Sequence, residues 1–271
     1  MSLSRLKSLP LPPRAAWTAV RMAMQLSVLT LASSPAWADL PATVAKIKPS
    51  IVAVGTFMAV RPQQKQPAGT GFVVSGNYAV TNSHVVPRKL DEGRRESLAL
   101  YLPGPDNRVL MRKAKLVAND PEHDLALLRF EGGALPALRL GSSKDVREGQ
   151  AAAFTGYPIL NALGLYPATH RATIAAISPV AAPVGSGREL TPNMIKRLSD
   201  PFKVFQLDAV AYPGNSGSPL YDVETGRVIG VINSVYVKKS KETAISSPSG
   251  ISYAVPVDHV RALLKKAGVG P

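Results

Sequence analysis

Three stretches of the sequence carry residue types able to cleave an acyl bond by nucleophilic attack. His84 closes GTGFVVSGNYAVTNSH, Asp124 opens the apolar run DLALL, and Ser216 stands in Gly214-Asn-Ser-Gly217. A serine hydroxyl is a weak nucleophile until a base takes its proton, and histidine is suited to that task. A carboxylate can fix the imidazole tautomer and stabilise the imidazolium without taking the proton itself. Glycine at 214 permits backbone angles that aim successive N–H groups at one point. The Gly214 and Ser216 N–H groups are therefore candidates for an oxyanion hole, worth roughly 3–4 kcal/mol per donor. Singly, each feature has a plainer reading: a structural histidine, a turn aspartate, a tight GNSG turn. Their joint occurrence in the order His, Asp, Ser, each beside a strand-like run, favours chemistry.

Other residues compete for these roles. His123 adjoins Asp124 but lacks the preceding strand and the Thr-x-x-His context of His84. His170 is expected in a loop and His259 in a terminal helix, both without a catalytic role. Asp120 precedes Pro121 and reads as a turn residue, and Asp208 is the remaining competitor. The chain has no cysteine, which excludes disulfides, thiol catalysis, Cys-ligated zinc and iron–sulfur clusters. With four histidines in 271 residues, no metal or other cofactor is expected.

The elements that must hold these residues are short. β-branched runs separated by turn residues include Ile51–Val54, Gly71–Val74, Tyr78–Thr81, Leu98–Tyr101, Leu125–Phe130, Ala151–Phe154, Thr173–Ile177, Val204–Leu207, Val228–Ile232 and Ile251–Val255. From Val44 onward the pattern is that of an all-β sandwich or barrel. One helix is expected over 256–267, where Val257, Val260, Leu263 and Leu264 share a face and Gly268 follows as a cap. A short helix is also expected over Thr191–Ser199. Val180–Asp200 and Lys238–Gly250 read as long surface loops, a class more often functional than short ones.

Residues 1–38 hold Arg5, Lys7, Arg14 and Arg21 and no acid, then an apolar stretch from Met22 and Ala36-Trp37-Ala38. This is the pattern of a signal peptide, with a mitochondrial presequence or an uncleaved anchor as alternatives, and its apolar run is shorter than the roughly 20 residues a membrane span needs. Export to the periplasm or beyond is expected, with 39–271 as the mature domain. Removal of the leader lowers the formal net charge from +14 to +10. The remaining basic residues are scattered and no nucleic-acid motif accompanies them, so no nucleic-acid partner is expected.

GTGFVVSGNYAVTNSHVV, HDLALLRF, LDAVAYPGNSGSPL with GRVIGVINS, and GISYAVP together resemble trypsin-like serine proteases, in their bacterial HtrA/Deg branch. The resemblance covers about residues 44–268. It implies two six-stranded antiparallel β-barrels, about 44–140 and 141–255, with a C-terminal helix and a triad of His84, Asp124 and Ser216 between them. It also implies polypeptide substrates, with Val210, Ala211 and Ile251 lining the specificity pocket. Trypsin-like enzymes that prefer Arg or Lys carry an Asp where this chain has Val210, so small or medium aliphatic P1 side chains are expected. Asn233 and Ser234 are expected to form the edge that pairs with substrate backbone. The sequence departs from the branch in several ways: no PDZ domain is expected after the helix, and Thr155-Gly-Tyr-Pro-Ile replaces the usual Gly-Asn-Pro-Phe type. Trimers in the branch form through an N-terminal aromatic-bearing segment. Only Phe57 lies near that region here, which leaves the oligomer open. GNSGSP also occurs in glutamyl-endopeptidase-like relatives. A non-catalytic peptide-binding or chaperone-like module using the same cleft is the alternative function.

Overall fold

Val, Ile, Phe and Tyr runs interrupted by Gly, Pro and Asn pair into antiparallel ladders that close on themselves. The computed structural model describes residues 39–159, 164–180, 201–233 and 250–270. Strands β1 (Ile51–Phe57), β2 (Lys65–Ser75), β3 (Tyr78–Asn82), β4 (Ser97–Pro103), β5 (Val109–Asp120) and β6 (Leu125–Phe130) form the first barrel. Its order is β1-β2-β3-β6-β5-β4, closed by β4 on β1. The second uses β7 (Ala151–Gly156), β8 (Ala168–Pro179), β9 (Lys203–Asp208), β10 (Pro219–Asp222), β11 (Val228–Asn233) and β12 (Ile251–Pro256). Its order is β10-β11-β12-β9-β8-β7, again closed. Closure removes exposed sheet edges and encloses a core in each barrel. Val52, Leu100 and Leu128 fill the first, and Phe154, Leu207 and Ile232 the second.

The expected runs appear as strands, mostly extended by a few residues. Two further strands complete the barrels. β5 has Arg112, Lys113 and Lys115 among its exposed or half-exposed positions, and β10 spans four residues from Pro219. Neither shows a long apolar run.

Helix α1 (Leu40–Ile47) stands where the strand pattern was expected to begin at Val44. Pro41 lies in its first turn, where a missing N–H costs nothing, and Ile47 is its buried anchor. Helix α2 (Val257–Lys266) buries the expected face, Val257, Val260, Leu263 and Leu264. Its Arg261 guanidinium donates to the carbonyls of Leu140 and Gly141, on the connection between the barrels. The expected helix over Thr191–Ser199, most of both long loops and Ser234 lie outside the described residues.

His170 is not in a loop. β8 begins five residues before the expected Thr173, and His170 pairs with Phe154 of β7. Its ring stacks on Phe154 with centroids 4.8 Å apart, and burial pushes its pKa down.

Candidate active site

β3 runs into a 3-10 turn, Ser83–Val85, that carries His84 out of the first barrel. Asp124 sits where the β5–β6 turn enters β6. The two side chains meet at 2.6 Å, between His84 Nδ1 and Asp124 Oδ2, while the His84 backbone N–H donates to Oδ1 at 2.9 Å. The Asp124 carbonyl accepts from Asn82 Nδ2 and from the Ser83 N–H, each at 3.0 Å. Side chain and main chain of Asp124 thus grip the same three-residue segment. With an acceptor-only carboxylate on Nδ1, the neutral imidazole carries its proton there and leaves Nε2 as the basic nitrogen.

A third donor reaches the Asp124 carboxylate from the second barrel. Asn233, at the end of β11, donates Nδ2–H to Oδ2 at 2.7 Å and is 1% exposed. Its backbone pairs with Tyr253 of β12. The sequence pattern suggests a substrate-binding edge for Asn233 and gives no sign that its side chain helps to hold the acid.

Ser216 is buried in the loop before β10, and β2 holds that loop. The Thr70 N–H donates to the Ser216 carbonyl at 2.8 Å. Thr70 Oγ1 donates to the Gly214 carbonyl at 2.7 Å and accepts from the Tyr157 N–H at 2.9 Å. Thr81 Oγ1 in turn donates to the Thr70 carbonyl at 2.6 Å. Gly214 has φ +99°, and a Cβ there would lie 2.2 Å from the Tyr157 carbonyl oxygen. Gly217 has φ +88°, and a Cβ there would lie 2.0 Å from the Thr70 carbonyl oxygen. Both positions therefore require glycine, for conformation and for space. The Ile159 N–H takes the Pro213 carbonyl at 2.7 Å, so the N–H of the planar Pro213–Gly214 peptide faces the opposite way.

Around the expected pocket, Ser252 Oγ donates to the Ala209 carbonyl and accepts from the Ala211 N–H, both at 2.7 Å. Ala209 and Ala211 pack against the core of the second barrel, and Val210 is half-buried between them. Ile251 opens β12 opposite Asp208 and is 48% exposed. His123 pairs with Asp120 rather than with the serine loop. Among the described residues no group of three or more His, Cys, Asp or Glu is placed to hold a metal ion.

The sequence assigns no role in the site to Thr70 or Tyr157. Thr70 lies inside the Gly-Thr-Gly island, but a lone hydroxyl between glycines does not reveal a partner 144 residues away.

A family model described as a trypsin-like peptidase domain matches residues 69–231. A probable periplasmic serine endoprotease, DegP-like, of Pseudomonas fluorescens is 32% identical over 199 residues, 73% of this chain and 34% of its own length. Protease Do-like 5, chloroplastic, of Arabidopsis thaliana is 32% identical over 71% of this chain and 54% of its own. The chain spans about a third of the length of the DegP-like relatives it matches. Among solved structures, the HtrA-type protease AlgW with a tripeptide is 25% identical at a TM-score of 0.58, covering 84% of this chain and 63% of that one. The Rv3671c protease, at 24% identity and a TM-score of 0.59, covers 87% of this chain and 97% of that one and shares the fold.

Proposed function

From the premise that this chain belongs to the trypsin-like peptidase family, among its HtrA/DegP-like members, we propose that it is a serine endopeptidase acting through His84, Asp124 and Ser216. The observation that carries this reading is Asp124, whose carboxylate holds Nδ1 of His84 at 2.6 Å under a second clamp from Asn233. In the reaction, His84 Nε2 takes the Ser216 Oγ proton as that oxygen attacks the substrate carbonyl. The imidazolium, stabilised by Asp124, then returns the proton to the leaving amine. Water repeats the cycle on the acyl-enzyme and frees the serine. The Gly214 and Ser216 N–H groups bind the oxyanion, and the left-handed Gly214 supports that assignment.

Val210, Ala211 and Ile251 form the P1 pocket in this reading, with Asn233 and Ser234 on the substrate edge. Ser252 ties the 209–211 wall to β12, and the alanines there are engaged with the barrel core. We read the site against this wall as apolar and partly filled, which favours small or medium aliphatic P1 side chains by about 1–3 kcal/mol per methylene. Residues 1–38 act as the export signal in this reading, and the periplasmic names of the relatives support a place outside the cytoplasm, where the enzyme would serve protein quality control. Among the described residues no helix is long and apolar enough to cross a membrane.

A fluorophosphonate is expected to label the wild type and not Ser216→Ala, and a peptide library to show cleavage after Val, Ala or Leu. Labelling that persists in Ser216→Ala excludes this nucleophile. Equal suppression of client aggregation by both proteins, with no cleavage by either, would favour a binding module instead.

A further inference from the structure

The turn that presents Asp124 contains a second carboxylate–imidazole pair. β5 ends at Asp120, and Pro121-Glu-His-Asp124 leads into β6. Asp120 Oδ1 accepts the N–H groups of Glu122 and His123, each at 3.2 Å, and Oδ2 lies 2.7 Å from His123 Nδ1. The other side of the His123 ring is occupied as well. It stacks on His259 of α2 with centroids 3.8 Å apart and planes at 22°. Phe202 meets His123 edge-on at 4.7 Å and His259 at 5.4 Å. None of these groups takes part in the proposed reaction.

Asp124 itself has φ +55°. Aspartate tolerates the left-handed region better than most side chains, but a residue stays there only when its surroundings over-determine it. On one side the His84 segment and Asn233 supply that constraint. On the other, the residue immediately before Asp124 is fixed through its N–H, its imidazole nitrogen and its ring face.

We propose that Asp120, His123 and His259 are positioning residues: the Asp120–His123 pair, clamped by the His259 ring, holds the turn in the conformation that keeps Asp124 on His84. The proposal rests on reading Asp124 as the acid of the triad. It makes the C-terminal helix a support of the active site, reaching the turn through the His123–His259 stack. Loosening that stack frees the turn to relax from its left-handed conformation, and the imidazole loses its orientation before substrate binding is affected.

The test uses the full chain with Asp120→Ala, His259→Ala and His259→Phe, each checked for folding by circular dichroism. Three quantities are read: kcat and KM on one peptide substrate, the rate of fluorophosphonate labelling, and the proton resonance of the His84 Nδ1–H. Asp120→Ala and His259→Ala are expected to lower kcat about ten- to a hundred-fold with KM within about two-fold, and to weaken the His84 resonance. His259→Phe, which restores an aromatic face to His123, is expected to recover most of the rate lost in His259→Ala. A folded Asp120→Ala with wild-type kcat and an unchanged His84 resonance overturns the proposal. If Asp120→Ala fails to fold, the two His259 variants decide: equal rates in both overturn it, and rescue by Phe supports it. If the wild type neither labels nor hydrolyses, the protease reading falls separately. The resonance then decides the brace, supporting it if weakened by Asp120→Ala and overturning it if unchanged.

Discussion

Asp124 gathers N–H donors from the His84 backbone, the His84 ring and Asn233, while its carbonyl takes two more from Asn82 and Ser83. Such a network makes the acid rigid, and rigidity suits a group that must orient an imidazole without moving. Gly214 poses the opposite demand, for a backbone that only glycine supplies. Gly214→Ala places a methyl group 2.2 Å from the Tyr157 carbonyl oxygen at φ +99°, so the loop must shift and misalign its N–H groups. The expected result is a kcat lower by about 10²–10³, the loss of one oxyanion donor, with KM little changed. Steady-state kinetics on the folded variant check this, and a wild-type kcat would remove Gly214 from the oxyanion hole. The proposed triad of His84, Asp124 and Ser216 stands out in the sequence because the proposed reaction needs uncommon residue types in recognisable local settings. The contact of Asn233 with Asp124 and that of Thr70 with Gly214 do not show in the sequence, since amide and hydroxyl side chains are common and these partners lie 109 and 144 residues away.

Elements were legible where burial writes a run of β-branched and aromatic residues, as in β1, β6 and β11. β5 hides because much of it faces solvent: Leu110 and Leu116 are exposed apolar positions interspersed with Arg112, Lys113 and Lys115. The face of α2 was legible from its spacing, but its contact with the β5–β6 turn was not. His259 is expected in the terminal helix without a catalytic role, and it lies there with its ring stacked on His123. Burial first, and the neighbouring His123 second, push its pKa down from 6.5 to about 4, against the opposite pull of Asp120, Asp258 and Glu122. Between those two values the unfolded chain binds a proton that the folded chain refuses. Stability contributed by this group is therefore complete above about 6.5 and is lost as pH falls towards 4. The Asp120 carboxyl, which burial opposes but bonds from His123 and Glu122 hold below its usual range, loses its contribution only at lower pH. Thermal melts of wild type and His259→Phe across this window should diverge, with the wild type losing more Tm on acidification. Parallel curves would show that His259 titrates as freely in the fold as outside it. His170 shifts in the same direction through its burial, so only the difference between the two proteins reports on the helix contact.

At the scale of the molecule, the +14 charge divides into +4 over residues 1–38 and +10 over the rest, and removal of residues 1–38 would also remove Trp17 and Trp37, both tryptophans of the chain. An exported form is expected to begin at Asp39 and to show tyrosine-only near-ultraviolet absorbance, checked by N-terminal sequencing and a spectrum. The larger consequence of the two-barrel plan is that neither barrel owns the site. His84 and Asp124 come from the first and Ser216 from the second, while Asn233 reaches back to Asp124 and Thr70 reaches across to the serine loop. Tyr157 adds a buried link, its hydroxyl donating to the Ile51 carbonyl at 3.3 Å. Thr70 is the junction because one side chain both donates to Gly214 and accepts from Tyr157. Thr70→Val keeps the shape and removes both bonds, leaving the buried Tyr157 N–H without its acceptor. The expected loss is about 1–3 kcal/mol of stability, together with a kcat reduced about ten-fold as the serine loop loses its anchor. Thr70→Ser, which keeps the hydroxyl, should restore both. Melting temperatures and steady-state rates on the three proteins check the coupling. A Thr70→Val protein with lowered Tm but unaltered kcat would show that the barrels need this contact to pack and not to align the site.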